Sequence, residues 1–329
     1  MQNELFKIKG LEKRTDLAFD DYENYSKDKL TDYDVEEMEE ENIKIIKSSV
    51  GPDSSNIINK KQGLYYTIDL SGVDINDTLT LEKTEIILAN VLKEIIKANN
   101  LENKRAFVVG LGNASVTPDA IGPEAIDNIV VTRHLELMNN LSEGFSNVCA
   151  MSPGVMGTTG IETYDIVKTI SKHVDVDYLI VVDALATSSI KRINSTIQLT
   201  DTGIKPGSGI GNKRKELSFD TLGKPVIALG VPTVVDASTI TIDAITKVIE
   251  HLSNSEKVTK EELNKIFGEF GKLSTFEAKQ ILVDVLTQEG LNYMVTKKEI
   301  DQDVHDLSKI IANGINLALH SGLYNGISS

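Results

Sequence analysis

The chain of 329 residues has one cysteine, five histidines and a deficit of positive charge. A lone Cys149 excludes an intramolecular disulfide and suits a reducing compartment. It sits in the apolar run Val148-Cys-Ala-Met151, where a buried structural thiol is expected. No stretch approaches the ~20 apolar residues of a membrane helix. The opening Met1-Gln-Asn-Glu-Leu-Phe-Lys7 lacks the apolar core of a secretory signal, so a cytoplasmic protein without membrane attachment is expected. Lys and Arg number 34 against 49 Asp and Glu, a net charge of −15. Such a field repels phosphate backbones, so no direct nucleic-acid partner is expected. There is no His-Glu-x-x-His, no paired Cys and no Gly-x-Ser-x-Gly elbow. His134, His173, His251, His305 and His320 fall in or at the ends of expected helices, away from the Gly-rich loops. A His-dependent nucleophile is therefore unpromising. With no repeat, low-complexity tract or clear linker, one compact domain is the natural reading.

What is present is an alternation. Residues 1–41 are polar and charge-rich and read as an irregular arm, with the acidic stretch Asp32 to Glu41 as a solvated loop or exposed helix. Strand-like runs follow at 43–47 and 64–70, then a helix over about 81–99 with Thr80 as its cap. Strand 105–110 precedes a helix near 123–139 that opens on Pro123. Strand 146–151 precedes a helix at 160–173, where Thr159 and Glu162 have capping-box spacing. Strands at 178–183, 195–200 and 224–230 lead to a helix near 237–252, and the chain beyond 253 reads as helical, ending in a helix over about 297–320. Thr259 with Glu262, and Thr296 with Glu299, repeat the capping-box spacing. The pattern predicts an α/β fold: a doubly wound, mostly parallel sheet with helices on both faces and a helical C-terminal region.

Two aspartates carry the chemistry. Asp119 follows the run Arg105-Ala-Phe-Val-Val-Gly110, and Asp183 closes Tyr178-Leu-Ile-Val-Val-Asp183. Short apolar runs bounded by Gly and Pro read as buried parallel strands, and ligands of open α/β sheets bind beyond the carboxyl ends of such strands. Either aspartate alone could merely cap a turn. Together they leave the same expected sheet edge, and two close carboxylates raise one pKa, giving an acid and a base for activating water. The loop Ser152-Pro-Gly-Val-Met-Gly-Thr-Thr-Gly160 between them offers backbone N–H groups for an oxyanion. Candidate lining residues are Gly112, Asn113, Gly157, Thr158, Thr159 and Lys205. Gly110-Leu-Gly-Asn-Ala-Ser115 lacks the third glycine of a dinucleotide fingerprint, and Gly207-Ser-Gly-Ile-Gly-Asn-Lys213-Arg214 lacks the ending of a P-loop. The latter reads better as a loop lining a cleft. A noncatalytic α/β binding protein and a metal-dependent peptidase using the same carboxylates are the rival readings.

At these residues the sequence resembles the germination proteases of spore-forming bacteria. The resemblance rests on Arg14-Thr-Asp-Leu-Ala18, Val109-Gly-Leu-Gly-Asn113, Val116-Thr-Pro-Asp-Ala-Ile-Gly-Pro123, Pro153-Gly-Val-Met-Gly-Thr-Thr-Gly-Ile-Glu-Thr163, Val182-Asp-Ala-Leu-Ala186, Ile197-Gln-Leu-Thr-Asp-Thr-Gly-Ile204, Pro206-Gly-Ser-Gly-Ile-Gly-Asn-Lys-Arg214 and Val231-Pro-Thr-Val-Val-Asp-Ala237. It implies an endopeptidase that degrades small acid-soluble spore proteins in the spore core, made as a zymogen, with a homotetrameric assembly and a fold related to hydrogenase-maturation peptidases. The proposed catalytic aspartates of that family fall on Asp119 and Asp183. Activation would cut between Asp16 and Leu17, releasing 1–16 as a pro-segment and leaving 17–329 as the peptidase domain. Leu17-Ala-Phe19 is the apolar cluster between two charged stretches, so it could occupy the enzyme's own cleft or simply dock the arm. The related maturation peptidases bind a metal through two acids and a histidine. Here Lys205 stands where family members often carry histidine, and lysine is a poor ligand, so a metal stays open but is not favoured, and no other cofactor is expected. Ala114 also replaces a bulkier residue, which changes local pocket shape rather than chemistry.

Overall fold

The computed structural model describes residues 32–326 apart from 59, 76, 208–213, 254–266, 269–272, 274 and 292. Its strands are β1 (Tyr33–Glu40), β2 (Ile43–Val50), β3 (Gly63–Asp69), β4 (Ala106–Gly110), β5 (Val148–Met151), β6 (Tyr178–Thr187), β7 (Thr196–Thr200), β8 (Val226–Asp236) and β9 (Met294–Val295). They form one sheet in the order β1-β2-β3-β7-β8-β6-β4-β5, with β9 added to β8. The helices are α1 (Pro52–Ile58), α2 (Thr78–Ala98), α3 (Ile121–Ile126), α4 (Arg133–Leu137), α5 (Met156–Thr159), α6 (Thr163–His173), α7 (Phe219–Leu222), α8 (Ala237–Ser253), α9 (Thr275–Gln288) and α10 (Ile300–Leu319).

The α/β class and the helices on both faces follow from how the strands bury their side chains. In β4 every residue is buried, as a strand covered on both faces requires. Val108, Ile180 and Val182 pack with Leu88, Leu92, Ile121, Ile311 and Ile315 on the face covered by α2, α3 and α10. The alternate residues Phe107, Val109, Leu179 and Val181 pack with Val167 of α6 on the other. Between the strands, parallel pairing is confined to β8-β6-β4-β5, with one isolated parallel bridge from Thr202 to Val226. The rest of the sheet is antiparallel, so the parallel part is narrower than the strand–helix alternation predicts. Among the described residues no helix is long and apolar enough to cross a membrane.

Several local expectations are corrected. Part of the arm read as irregular is β1, paired with β2 from Tyr33↔Val50 to Glu40↔Ile43. The strands join through Glu41 and Asn42, both at positive φ (52° and 64°), the geometry of a tight hairpin. An edge strand whose outer residues face water need not be apolar, and its acidic side chains discourage pairing with another chain. The helix expected over 123–139 is two, α3 and α4. Asn316 of α10 separates them: its Oδ1 accepts from Val130 N–H at 2.9 Å and its Nδ2 donates to the Asn128 carbonyl at 2.9 Å. Asp77 rather than Thr80 caps α2, its carboxylate accepting from the Thr80 N–H at 3.0 Å. The Thr159–Glu162 box does not form, because Gly160 at φ +71° ends α5 and α6 starts at Thr163. Nor does the Thr296–Glu299 box form; the Thr296 hydroxyl donates to the Thr233 carbonyl. Beyond 253 the chain is not wholly helical, since β9 extends the sheet. The Thr259–Glu262 pair lies outside the described residues.

Candidate active site

Past the end of β4 the chain makes a closed turn that carries Asp119. Gly112 adopts φ +119°, and a Cβ there would lie 2.0 Å from the Asp119 carbonyl oxygen. Glycine is thus required by both conformation and space. The close approach lets the Asn113 N–H donate to the Asp119 carbonyl at 3.1 Å and to its Oδ2 at 2.9 Å. Asp119 ends a short 3-10 turn, Thr117–Asp119, and α3 follows directly. A Cβ on Gly122 would lie 2.7 Å from the Val182 carbonyl oxygen, so the first turn of α3 rests on the backbone of β6 next to Asp183.

Asp183 is not at the end of its strand, as the sequence pattern suggested: β6 continues to Thr187. The pattern misled because β6 outruns β4. The last pair between them is Gly110↔Val182, so Asp183 is the first residue of β6 beyond β4. On its other side it still pairs with Gly230 of β8. The Leu111 N–H donates to the Val182 carbonyl at 2.8 Å, tying the start of the Asp119 turn to the residue preceding Asp183. Asp183 is 5% exposed, and its Oδ1 accepts from the Ala184 N–H at 3.0 Å.

A cation completes the setting. Burial pushes the Asp119 carboxyl above its ordinary value, while the Asn113 N–H and the charge of Arg214 pull the other way. Arg214 follows the Gly-rich loop, three residues before a bridge in which Ile204 and Leu217 exchange hydrogen bonds at 2.9 and 2.8 Å. Next to it, Lys215 pairs with Asp165 of α6 at 3.3 Å. The sequence reading did not single out Arg214, although a basic residue closing a Gly-rich loop was a usable signal.

The other candidates divide. Gly112 and Asn113 belong to the Asp119 turn. Gly157, Thr158 and Thr159 lie exposed on α5, in the loop after β5. Thr158 and Thr159 donate both N–H and hydroxyl to the Val155 carbonyl, so their amides are engaged within the turn rather than offered to an oxyanion. Lys205 is exposed, one residue past the Ile204–Leu217 bridge. Residues 208–213 of the Gly-rich loop, and Asp16 and Leu17, lie outside the described residues. Cys149 is half-buried, and burial raises its thiol, consistent with a structural role. Among the described residues no three His, Cys, Asp or Glu side chains gather as a metal site would need.

A buried carboxylate on β6 and a half-buried one on the turn that follows the neighbouring β4, with an amide donor on each and a guanidinium acting on Asp119, make the kind of site by which hydrolases activate water. The comparisons agree with that class. The chain matches the family model described as germination protease over residues 11–265 and 253–328, spans that include both aspartates. It is 42% identical over 316 residues to the germination protease of Priestia megaterium, covering 87% of this chain and 85% of that one. The germination protease of Oceanobacillus iheyensis is 41% identical over 344 residues, covering 93% and 94%. The chain belongs to the germination protease family. Among solved structures it is similar to the [NiFe] hydrogenase maturation protease HycI of Thermococcus kodakarensis KOD1, with TM-score 0.29, 13% identity, and 60% of this chain and 99% of that one covered. A hydrogenase 2 maturation peptidase from Thaumarchaeota archaeon SCGC_AB-539-E09 gives TM-score 0.22 and 18% identity, covering 57% and 100%.

Proposed function

We propose that the protein is an endopeptidase that degrades small acid-soluble spore proteins during germination, with Asp119 and Asp183 jointly activating water. The observation that carries this reading is the bond from Leu111 N–H to the Val182 carbonyl, which joins the turn bearing Asp119 to the strand position before Asp183. One carboxylate of the pair takes a proton from water as the water oxygen attacks the scissile carbonyl carbon. The protonated partner gives its proton to the leaving nitrogen as the C–N bond breaks, and the two exchange roles between turnovers. In a shared site their protons would belong to the pair rather than to either residue. Burial raises the affinity of Asp119 for a proton, which suits a group that must hold and release one. Arg214 would limit the cost of keeping a negative charge in that setting.

The carboxylates supply two donors and no third ligand-forming side chain joins them among the described residues. A metal-free mechanism is therefore the reading favoured here. Chelation followed by an assay with the metal content measured should leave the activity intact. The chain is further proposed to be made as a zymogen in the spore core, cut between Asp16 and Leu17, and to act as a homotetramer. Exposed Val248, Ile281, Val285 and Tyr293 along α8, α9 and the approach to β9 offer apolar surface for self-association. Incubation of Asp183→Asn with a purified small acid-soluble spore protein tests the central reading. No discrete fragments and no loss of residues 1–16 are expected, with the fold intact; retained cleavage would sink it.

A further inference from the structure

A bulge in β8 lies close to both aspartates. Leu185 pairs with Pro232 and Ala186 with Val234, so Thr233 is the extra residue, three positions past the Gly230 that faces Asp183. A bulge turns a side chain out of the strand's alternation and is a common way to aim one at a site. Thr233 is 1% exposed, and its hydroxyl donates to the Pro118 carbonyl, the residue before Asp119, at 2.6 Å. From the other side, the Thr296 hydroxyl donates to the Thr233 carbonyl at 2.6 Å, fastening the approach to α10 to the same point. Among the described residues, the other hydrogen bonds of the Thr117–Asp119 turn are short-range, to Asn113, Val116 and Ala120. The bond from Thr233 ties the turn to β8, the strand that pairs with Asp183.

We propose that Thr233 is a positioning residue that sets the Asp119 carboxylate against Asp183 through the Pro118 carbonyl. The inference rests on the reading of Asp119 as catalytic. Valine keeps the shape of threonine and removes the hydroxyl, while Pro118 is partly exposed, so water can take the vacated carbonyl and the fold should survive.

The test compares Thr233→Val, Thr233→Ser and Asp119→Asn in the full chain, measuring kcat and KM on a purified small acid-soluble spore protein and following the Asp119 carboxyl by 13C NMR titration. Thr233→Val should lower kcat by about 10- to 100-fold, the scale of a misplacement of about 1 Å, with KM within about threefold. Its Asp119 titration should shift. Thr233→Ser, which keeps the donor, should restore most of kcat and the wild-type titration. Wild-type kcat in Thr233→Val, or a Ser variant as slow as the Val variant, would overturn the proposal while leaving Asp119 in its role. Full activity in Asp119→Asn would instead remove the catalytic reading. An unmoved Asp119 titration in Thr233→Val overturns the positioning claim whatever the rates.

Discussion

The two ends of the parallel strands treat carboxylates in opposite ways. Just before β6 begins, Asp177 accepts from the Arg105 backbone N–H at 2.8 Å, from Nε at 3.0 Å and from the second guanidinium nitrogen at 2.9 Å. Arg105 also reaches Asp175 at 2.7 Å. The fork holds the Asp177 carboxyl down at about 2, fixed as an ion. At the other end, Asp119 has one backbone donor on its carboxylate and a cation nearby, and burial wins, pushing its pKa up. A fully matched carboxylate has nothing left to offer a substrate. One held short of that match can exchange protons, which is why the far edge is read as the reactive one.

The comparison can be broken at either end. Asp119→Asn or Asp183→Asn should lower cleavage by at least about 10³-fold, within the range for lost acid–base catalysis, with the melting temperature little changed. Gly112→Ala should come next. Its methyl meets the Asp119 carbonyl at 2.0 Å in a left-handed backbone, so activity should fall by about tenfold or more and stability by about 1–3 kcal/mol in urea denaturation.

At the structural end the signs reverse. Arg105→Gln should leave kcat unchanged and lower stability by about 1 kcal/mol, a figure reduced for the partial exposure of the pair. Asp177 binds its proton more weakly folded than unfolded. Its contribution is therefore complete above the ordinary carboxylate value of about 4 and is lost as pH falls towards about 2. Arg105→Gln should flatten that acid limb, as chemical denaturation at stepped pH would show.

The smallest effect is expected at His320, also remote from the aspartates. It is fully buried, its Nδ1 accepts from the Ser146 N–H at 3.2 Å, and its Nε2 faces the Val130 carbonyl at 3.0 Å, which makes the ring neutral with the proton on Nε2. Burial lowers its pKa, so the unfolded chain binds the proton more readily and stability should decline as pH drops below about 6.5. His320→Gln should be less stable at pH 7.5 yet lose less on going to pH 5.5.

Much of this was legible in the residues. The runs 106–110 and 178–182 announce buried parallel strands because covering both faces demands unbroken apolar sequence; Asp183 stands out because it interrupts such a run, and Asp119 because it closes the Gly-rich turn after one. What stayed hidden depends on partners far along the chain. Asp183 looks terminal until β8 is seen to pair past it. The break between α3 and α4 is set by Asn316, 186 residues after Val130. Arg214 gains meaning from its charge beside Asp119, and Thr233 from a bulge that no local pattern marks.

The direct test of the account is whether the two site carboxylates feel each other. A 13C titration of the Asp119 carboxyl in wild type and in Asp183→Asn measures it. Removing the neighbouring charge should move the Asp119 midpoint to lower pH; an unchanged midpoint would contradict a shared site.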